Sequence, residues 1–401
     1  MRSAFRIFTS MKQTKYIVPV LVTFLFAGLI IYSTRGKASV EETIEKETVV
    51  LPDTLKLLFV GDVMVHSRQF EAALYEGGDS MYNFHPTLQY IQEYISSADF
   101  SMANLEVPFG GKPYTGYPMF SSPPEIVDDL IKAGFNVFFT ANNHVADKGK
   151  KGIEGTLEHL KKSGASFTGS FKDSLERAEN YPLLVEAKNI KLCLLNYTYG
   201  TNGMPVYKPN LVNRIDTLQI KKDLEKAKSQ APDYIITCIH WGEEYQQKEN
   251  ENQRELARFL AENGSNLIVG AHPHVVQPFD KIITQKGDTV PVIYSLGNFV
   301  SNQRWRYSDC GIVFEVILVK SENRLALHSV AYEPFWVNRY NDHIRSLYRI
   351  IPVNDYLRDS TKYELNAVSR GNMMQFYDDA RKTLQNLTYS NFYKKKSRSH
   401  L

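Results

Sequence analysis

Short apolar runs that each end in a polar, chemistry-bearing residue recur through the middle of this 401-residue chain, and amphipathic segments separate them. The runs are LKLLFV (55–60), FSMAN (100–104), VFFT (137–140), KLCLLNY (191–197), YIITCI (234–239), LIVG (267–270) and VIYS (292–295). Runs of this length read as buried strands. Between them PPEIVDDLIKAG opens on proline, spaces its apolar residues helically and stops at Gly134. GIEGTLEHLKKSG, IDTLQIKKDLEKAKSQ and NQRELARFLAENG follow the same grammar. Alternation of this kind predicts an α/β architecture with helices packed over sheet, and GIVFEVILV and LALHSVAYEPF predict further strands later in the chain.

The N-terminus carries a separate signal. Arg2, Arg6, Lys12 and Lys15 precede an uncharged apolar stretch at 17–32, long enough with its neighbours to approach the roughly 20 residues of a bilayer span. An uncleaved anchor and a secretory signal peptide share this pattern. The run ends in YSTRGK without an Ala-x-Ala-like site, which favours the anchor, and the basic flank places the chain beyond the apolar stretch outside the cytoplasm. The expected organisation is therefore a membrane anchor at 1–33, a polar stalk at 34–54, an α/β domain at 55–335 and a largely helical C-terminal extension at 336–401, ending in a basic, solvated tail. The expected localisation is the cell membrane, single-pass, with the main domain extracytoplasmic.

Composition narrows the partners. Lys plus Arg number 47 against 44 Asp plus Glu, so no overall field draws the chain onto nucleic acid. Cys193, Cys238 and Cys310 each sit inside an apolar run and read as core residues rather than as a disulfide framework or a thiolate site.

The strand ends deliver the candidate chemistry, at the place where open α/β sheets bind ligands. LLFVGDVMVH supplies Asp62 and His66, and FSMANLEVP supplies Asn104 and Glu106. VFFTANNHVAD supplies Asn142, Asn143, His144 and Asp147. YIITCIHWGEEY supplies His240 and Glu244, LIVGAHPHVVQ supplies His272 and His274, and VIYSLGNFV supplies Asn298. Each has an ordinary alternative: Asp62 as a capping residue, Asn143 as a turn former, His144 or His240 as a satisfied imidazole, Glu106 as a helix-start carboxylate, Asn104 and Asn298 as loop-backbone partners. Repetition after strand upon strand favours one shared site. Imidazole, carboxylate and amide oxygen together suit zinc, manganese or iron rather than copper(I) or an all-oxygen calcium cage. Tyr114, Tyr117, Trp305 and Tyr307 lie close in sequence to these motifs and are candidates to line a groove.

GDVMVH, ANLEVP, TANNHVADKG, HWGEEY, GAHPHVVQ and SLGNFV, in this order, resemble the motifs of the CapA family, named for a poly-γ-glutamate capsule synthesis protein. The resemblance covers about residues 55–301. It implies a bacterial source and a calcineurin-like metallophosphoesterase fold, a four-layer sandwich of two β-sheets flanked by helices. It implies two divalent metal ions, with Asp62, Glu106, Asn143, His240, His272 and His274 as ligands, Glu106 bridging and His144 as proton donor. Asn104, Glu244 and Asn298 are then the substrate contacts. Met64 departs from the wider pattern, standing where an Asp-x-His motif has its histidine, with His66 two residues further on as a substitute.

The implied function is an extracytoplasmic role in synthesis or export of an anionic capsule polymer such as poly-γ-glutamate, alongside membrane partners of capsule synthesis. Two alternatives stand beside it: a metal-dependent surface phosphoesterase unrelated to the polymer, and a polymer-binding scaffold without turnover. The exported domain shows no Gly-x-x-x-x-Gly-Lys-Ser/Thr loop, so nucleotide-driven ligation falls to partner proteins.

Overall fold

The computed structural model describes residues 53–321, 324–342 and 344–393. The expected anchor, nearly all of the expected stalk, and the Lys394 to Lys396 run lie outside the described residues. Among the described residues, no helix is long and apolar enough to cross a membrane.

In chain order the strands are β1 (Asp53–Val63), β2 (Phe100–Leu105), β3 (Val137–Phe139), β4 (Ser166–Thr168), β5 (Ser170–Phe171), β6 (Leu183–Ala187), β7 (Ile190–Thr198), β8 (Leu211–Val212), β9 (Tyr234–His240), β10 (Leu267–Ala271), β11 (Phe279–Ile283), β12 (Thr289–Ile293), β13 (Asn298–Val300), β14 (Cys310–Ser321), β15 (Arg324–Asn341), β16 (Ser346–Pro352) and β17 (Thr388–Tyr389). The first sheet runs β16-β15-β14-β1-β2-β3-β4, with β13 beside β1 and β17 beside β15. The second runs β11-β12-β10-β9-β7-β6, and β5 pairs with β8 alone. Each expected strand is present, with β1 and β15 running on beyond their expected ends, and VIYS stops short, its strand ending at Ile293.

The two main sheets stack because their central strands are apolar on both faces. On β1, Leu55, Leu57 and Phe59 turn to a core shared with Leu192, Leu194, Ile236, Cys238 and Val269 of the second sheet. Leu58 and Val60, one residue out of phase, join Ile126, Val127, Leu130 and Leu160 of the helices Glu125–Lys132 and Gly149–Ser163. On the far side Cys193, Leu195 and Ile239 pack on Ile220, Leu224, Ala257 and Leu260 of the helices Thr217–Ser229 and Glu251–Glu262. The result is helix, sheet, sheet, helix: the expected four-layer sandwich. Each fully buried Leu, Ile or Phe in these layers is worth about 1.5–3 kcal/mol, so the stack is held by its period-2 apolar faces. The three cysteines are free and buried, as expected.

The C-terminal part differs from the expectation. The boundary at 335/336 falls inside β15, which continues to Asn341 and is followed by antiparallel β16, so the first sheet extends well past residue 336. The helix Ala367–Thr383 then places Met373, Phe376 and Ala380 in the same core as Leu57 and Phe59. Paired strands that turn back on themselves bury this segment against the first sheet instead of leaving it as a separate helical extension.

Candidate metal centre

The parallel strands β1, β2 and β3 all point their C-terminal ends one way, as do β7, β9 and β10 of the other sheet. Register sets the side chains abreast: Asp62 pairs with Asn104 on one side and Asn298 on the other, while His240 pairs with Thr198 and Ala271. A glycine in each sheet permits this. A Cβ on Gly61 would lie 1.8 Å from the Gly297 carbonyl oxygen, and one on Gly270 would lie 1.9 Å from that of Tyr294. Gly61 and Gly270 are therefore the only residue type that lets these strand ends approach their neighbours so closely.

Seven of the expected residues converge in a buried cluster. Asp62 Oδ2 lies 2.9 Å from His274 Nδ1, and its Oδ1 accepts from Asn104 Nδ2 at 2.7 Å. His240 Nε2 is 2.9 Å from Asn143 Oδ1 and 3.6 Å from Glu106 Oε1. His272 and His274 both adopt left-handed backbone, φ 101° and 59°, which turns both rings into the same space with centroids 5.8 Å apart. Such backbone in non-glycine residues is strained and is typical of sites that need a particular side-chain direction.

The electrostatics leave a gap that suits a cation. Burial, with the Asp62 charge beside it, pushes the Glu106 carboxyl well above its ordinary range. Burial also acts to raise Asp62, but the hydrogen bonds from His274 and Asn104 hold it below its usual value. Burial holds His240 far below its ordinary value and takes His272 down to about 3, so both imidazoles are neutral. Glu106 Oε1 and His272 Nδ1 are buried without a hydrogen-bond partner. A buried unpaired acceptor is costly, and two of them facing one cluster are the signature of a ligand that contributes positive charge.

The donor geometry fits this. Glu106, His272 and His274 bring one ligand atom each within 4.8 Å of one another, and so do Asp62, Glu106 and His240. Glu106 belongs to both groups. Ligands at about 2.0–2.2 Å from a common ion lie roughly 3–3.5 Å apart, close to the separations of the His274–Asp62 and His240–Asn143 pairs. These buried groups can hold metal.

His144 sits beside this cluster rather than in it. Its Nδ1 lies 2.8 Å from Asp147 Oδ2, which also accepts from the Phe120 backbone N–H at 2.8 Å, and its ring meets Phe120 edge-on at 4.8 Å. Asp147 thereby orients the ring through Nδ1 and leaves Nε2 for a substrate.

The three expected substrate contacts occupy different places. Asn104 is inside the cluster: its Nδ2 faces Asp62, Glu106 at 3.4 Å and His240 Nδ1 at 3.2 Å. Asn298 donates to Gln303 Oε1 and the Ser308 carbonyl and so ties down the following loop. Glu244 is exposed. Met64 is buried in the core on the helix side of β1. His66 does not join either ligand group: its Nδ1 accepts from the Asn302 backbone N–H at 3.3 Å, and its backbone N–H donates to Gln69. Tyr114 packs on Phe70 and Tyr82, and Tyr307 lies under Arg306, whereas Tyr117 and Trp305 are exposed.

Tyr199 and Asn202 escape a reading of strand ends. They follow β7 in the loop YGTN, yet Asn143 Nδ2 donates to Asn202 Oδ1 at 3.3 Å and the Tyr199 ring lies 4.6 Å from His272. The tyrosine closing the run LCLLNYTY was the available signal.

The capsule biosynthesis protein CapA of Bacillus anthracis is 29% identical over 324 residues, 76% of this chain and 73% of that one. The PGA biosynthesis protein CapA of Bacillus subtilis is 29% identical over 310 residues, 75% of this chain and 77% of that one. Among solved structures the chain is distantly similar to the calcineurin-like phosphoesterase YfkN from Bacillus subtilis, with TM-score 0.42 and 14% identity, covering 82% of this chain and 98% of that one. The family described as bacterial capsule synthesis protein PGA_cap matches residues 56–303, the span that holds every residue of the cluster. The chain belongs to the bacterial capsule synthesis protein family PGA_cap.

Proposed function

We propose that this chain acts in the synthesis or export of a capsule polymer of the poly-γ-glutamate type, through a two-metal, phosphoesterase-type hydrolytic centre. Its N-terminal segment anchors it in the cell membrane, with the α/β domain on the extracytoplasmic side and membrane proteins of capsule synthesis as partners. Family membership and the names of the two CapA relatives support the biological setting. One observation carries the chemistry: two three-residue ligand groups meet at Glu106, whose Oε1 has no other partner.

When bound, two divalent ions (manganese, zinc or iron) supply Lewis acidity toward a phosphoryl oxygen and toward the attacking water. The chain's own residues do the rest. Glu106 and Asp62 provide the negative charge that retains the ions, and the neutral His240, His272 and His274 complete the set. Water adds at phosphorus, the P–O bond to the leaving group breaks, the leaving oxygen takes a proton from His144 Nε2, and the proton released by the attacking water returns His144 to its starting state. Asp147 holds the ring in orientation.

A second reading, a binding scaffold without turnover, draws on Met64, which turns into the core instead of adding a ligand beside Asp62. Elemental analysis and turnover of bis(p-nitrophenyl) phosphate by the purified full chain with manganese separate the two. The hydrolytic reading expects metal uptake and turnover, with His144→Ala losing about 10²–10⁴-fold in rate while keeping its metal. Metal uptake without turnover supports the scaffold; a chain that takes up no metal rules out the proposed centre.

A further inference from the structure

Four exposed aromatic rings stand between the buried cluster and solvent. Tyr199, 45% exposed, lies 4.6 Å from His272 and parallel to His240 at 6.2 Å. Tyr245, 38% exposed, lies 5.8 Å from His274, and Trp305, 52% exposed, meets Tyr245 edge-on at 5.1 Å. Tyr117, 72% exposed, meets Phe120 at 6.4 Å, the ring that packs on His144. Large rings left to water beside one buried polar cluster mark a binding surface.

Two of these rings are held in place. Tyr245 has φ 65°, a left-handed conformation that disfavours a tyrosine. Its backbone N–H donates to the Pro273 carbonyl, between the two histidines, at 2.8 Å, and its hydroxyl accepts from Gln303 Nε2 at 3.1 Å. The Tyr199 hydroxyl donates to Asn202 Oδ1 at 3.2 Å, the atom that also accepts from Asn143. Strain in an exposed residue persists when the placement of its side chain matters.

The polar groups at this rim are amides and a carboxylate. Asn202 and Gln303 carry the hydrogen bonds above, and the exposed Glu244 lies near both tyrosines, its charge acting on their hydroxyls. Among the described residues, no lysine or arginine hydrogen-bonds to, ion-pairs with or stacks on the four rings or the buried ligands.

We propose that this aromatic collar is a saccharide subsite, so that the substrate of the centre is a phosphoester of a sugar. The idea rests on the phosphoesterase reading of the site. The C–H face of a pyranose packs on a tyrosine or tryptophan ring, and its hydroxyls donate to carboxylate and amide oxygens and accept from amide N–H groups. A polyanion with a carboxylate on every unit would instead bring its charges against Glu244 at the rim, where among the described residues no lysine or arginine pairs with the collar. The sugar oxygen of the scissile bond is the one that takes the proton from His144.

Isothermal titration calorimetry of the full chain with manganese tests this, using glucose 1-phosphate and chitotetraose as probes and AMP and poly-γ-glutamate as competitors. The collar predicts binding of both saccharides, weakened about five- to tenfold in Tyr199→Ala, Tyr245→Ala and Trp305→Ala. It predicts recovery in Tyr245→Phe, which keeps the ring, and unchanged metal content in all four. No saccharide binding, tighter binding of AMP or poly-γ-glutamate, or saccharide binding indifferent to the ring removals overturns it. Saccharide binding in a chain without turnover leaves the collar standing and removes the hydrolytic reading; turnover without saccharide binding does the reverse.

Discussion

The two sheets contribute to the site in chemically opposite ways. The first ends in Asp62, Asn104 and Glu106, with Asn143 and His144 just beyond β3; the second ends in His240, His272 and His274. Oxygen donors come mostly from one sheet and nitrogen donors from the other. Burial acts on them in opposite directions, raising the Glu106 carboxyl and lowering the His240 and His272 imidazoles. At the cluster, the end of each sheet also buries an atom that has no hydrogen-bond partner, Glu106 Oε1 in the first and His272 Nδ1 in the second. Neither half satisfies itself, and the stacking of the two sheets creates the need for a cation as well as the place for it.

The strongest way to break this comparison is to neutralise the oxygen half alone. Glu106→Gln keeps shape and removes the charge that burial and Asp62 oppose. In the metal-free chain the melting temperature is expected to stay level or rise, because an unfavourable buried carboxylate is gone. Metal uptake, and with it turnover above the uncatalysed background, is expected to vanish. Elemental analysis and thermal melts with and without manganese read both effects. A variant that melts lower without metal, or still binds metal stoichiometrically, contradicts the shared role of Glu106.

Asn104 links the halves, and its removal tests their coupling. Its amide reaches Asp62 in the first sheet and His240 in the second. An outer partner of this kind typically contributes 10- to 100-fold in metal affinity. Asn104→Ala is expected to weaken manganese binding by about that factor while the ligand set stays intact. If affinity is unchanged and only the KM for substrate rises, Asn104 contacts substrate, as its strand-end position alone suggests.

Asn104 also marks how far the sequence reads. Strand-end placement and the apolar runs made the α/β architecture and most of the cluster legible, and the resemblance to the CapA family supplied the sandwich. Spacing could not say whether an amide at a strand end turns toward substrate or bonds sideways to the next strand. The 335/336 boundary failed for a related reason, since pairing of β15 with β16 is a long-range choice that local composition does not carry. Tyr199 and Tyr245 were illegible because their roles depend on ring contacts across sheets and, for Tyr245, on a positive φ. Met64, by contrast, was legible as a departure, and its burial on the helix side of β1 explains it: a side chain two residues past Asp62 faces the core there.

The smallest expected effect is also the most diagnostic of the opposition between the halves. His272 is lowered from its ordinary 6.5 to about 3 in the folded chain, so between those values the unfolded chain binds more protons. Its contribution to stability is therefore present above 6.5 and is lost as pH falls toward 3, with a slope of at most about 1.4 kcal/mol per pH unit. Glu106 is raised, so its contribution is present below the ordinary carboxyl range and is lost as pH climbs through the folded value. The metal-free chain should thus lose stability on both sides of a mid-acid optimum. His272→Asn should lessen the slope of the acid limb, to which His240 also contributes, and leave the basic limb unchanged, while Glu106→Gln should act on the basic limb alone, in denaturant titrations run across pH. Saturating manganese should raise stability most above neutrality, where the ligands are deprotonated and the metal-free oxygen half is least stable. An acid limb that persists unchanged in His272→Asn would assign it to other groups and leave the nitrogen half without the opposing pH dependence argued for it.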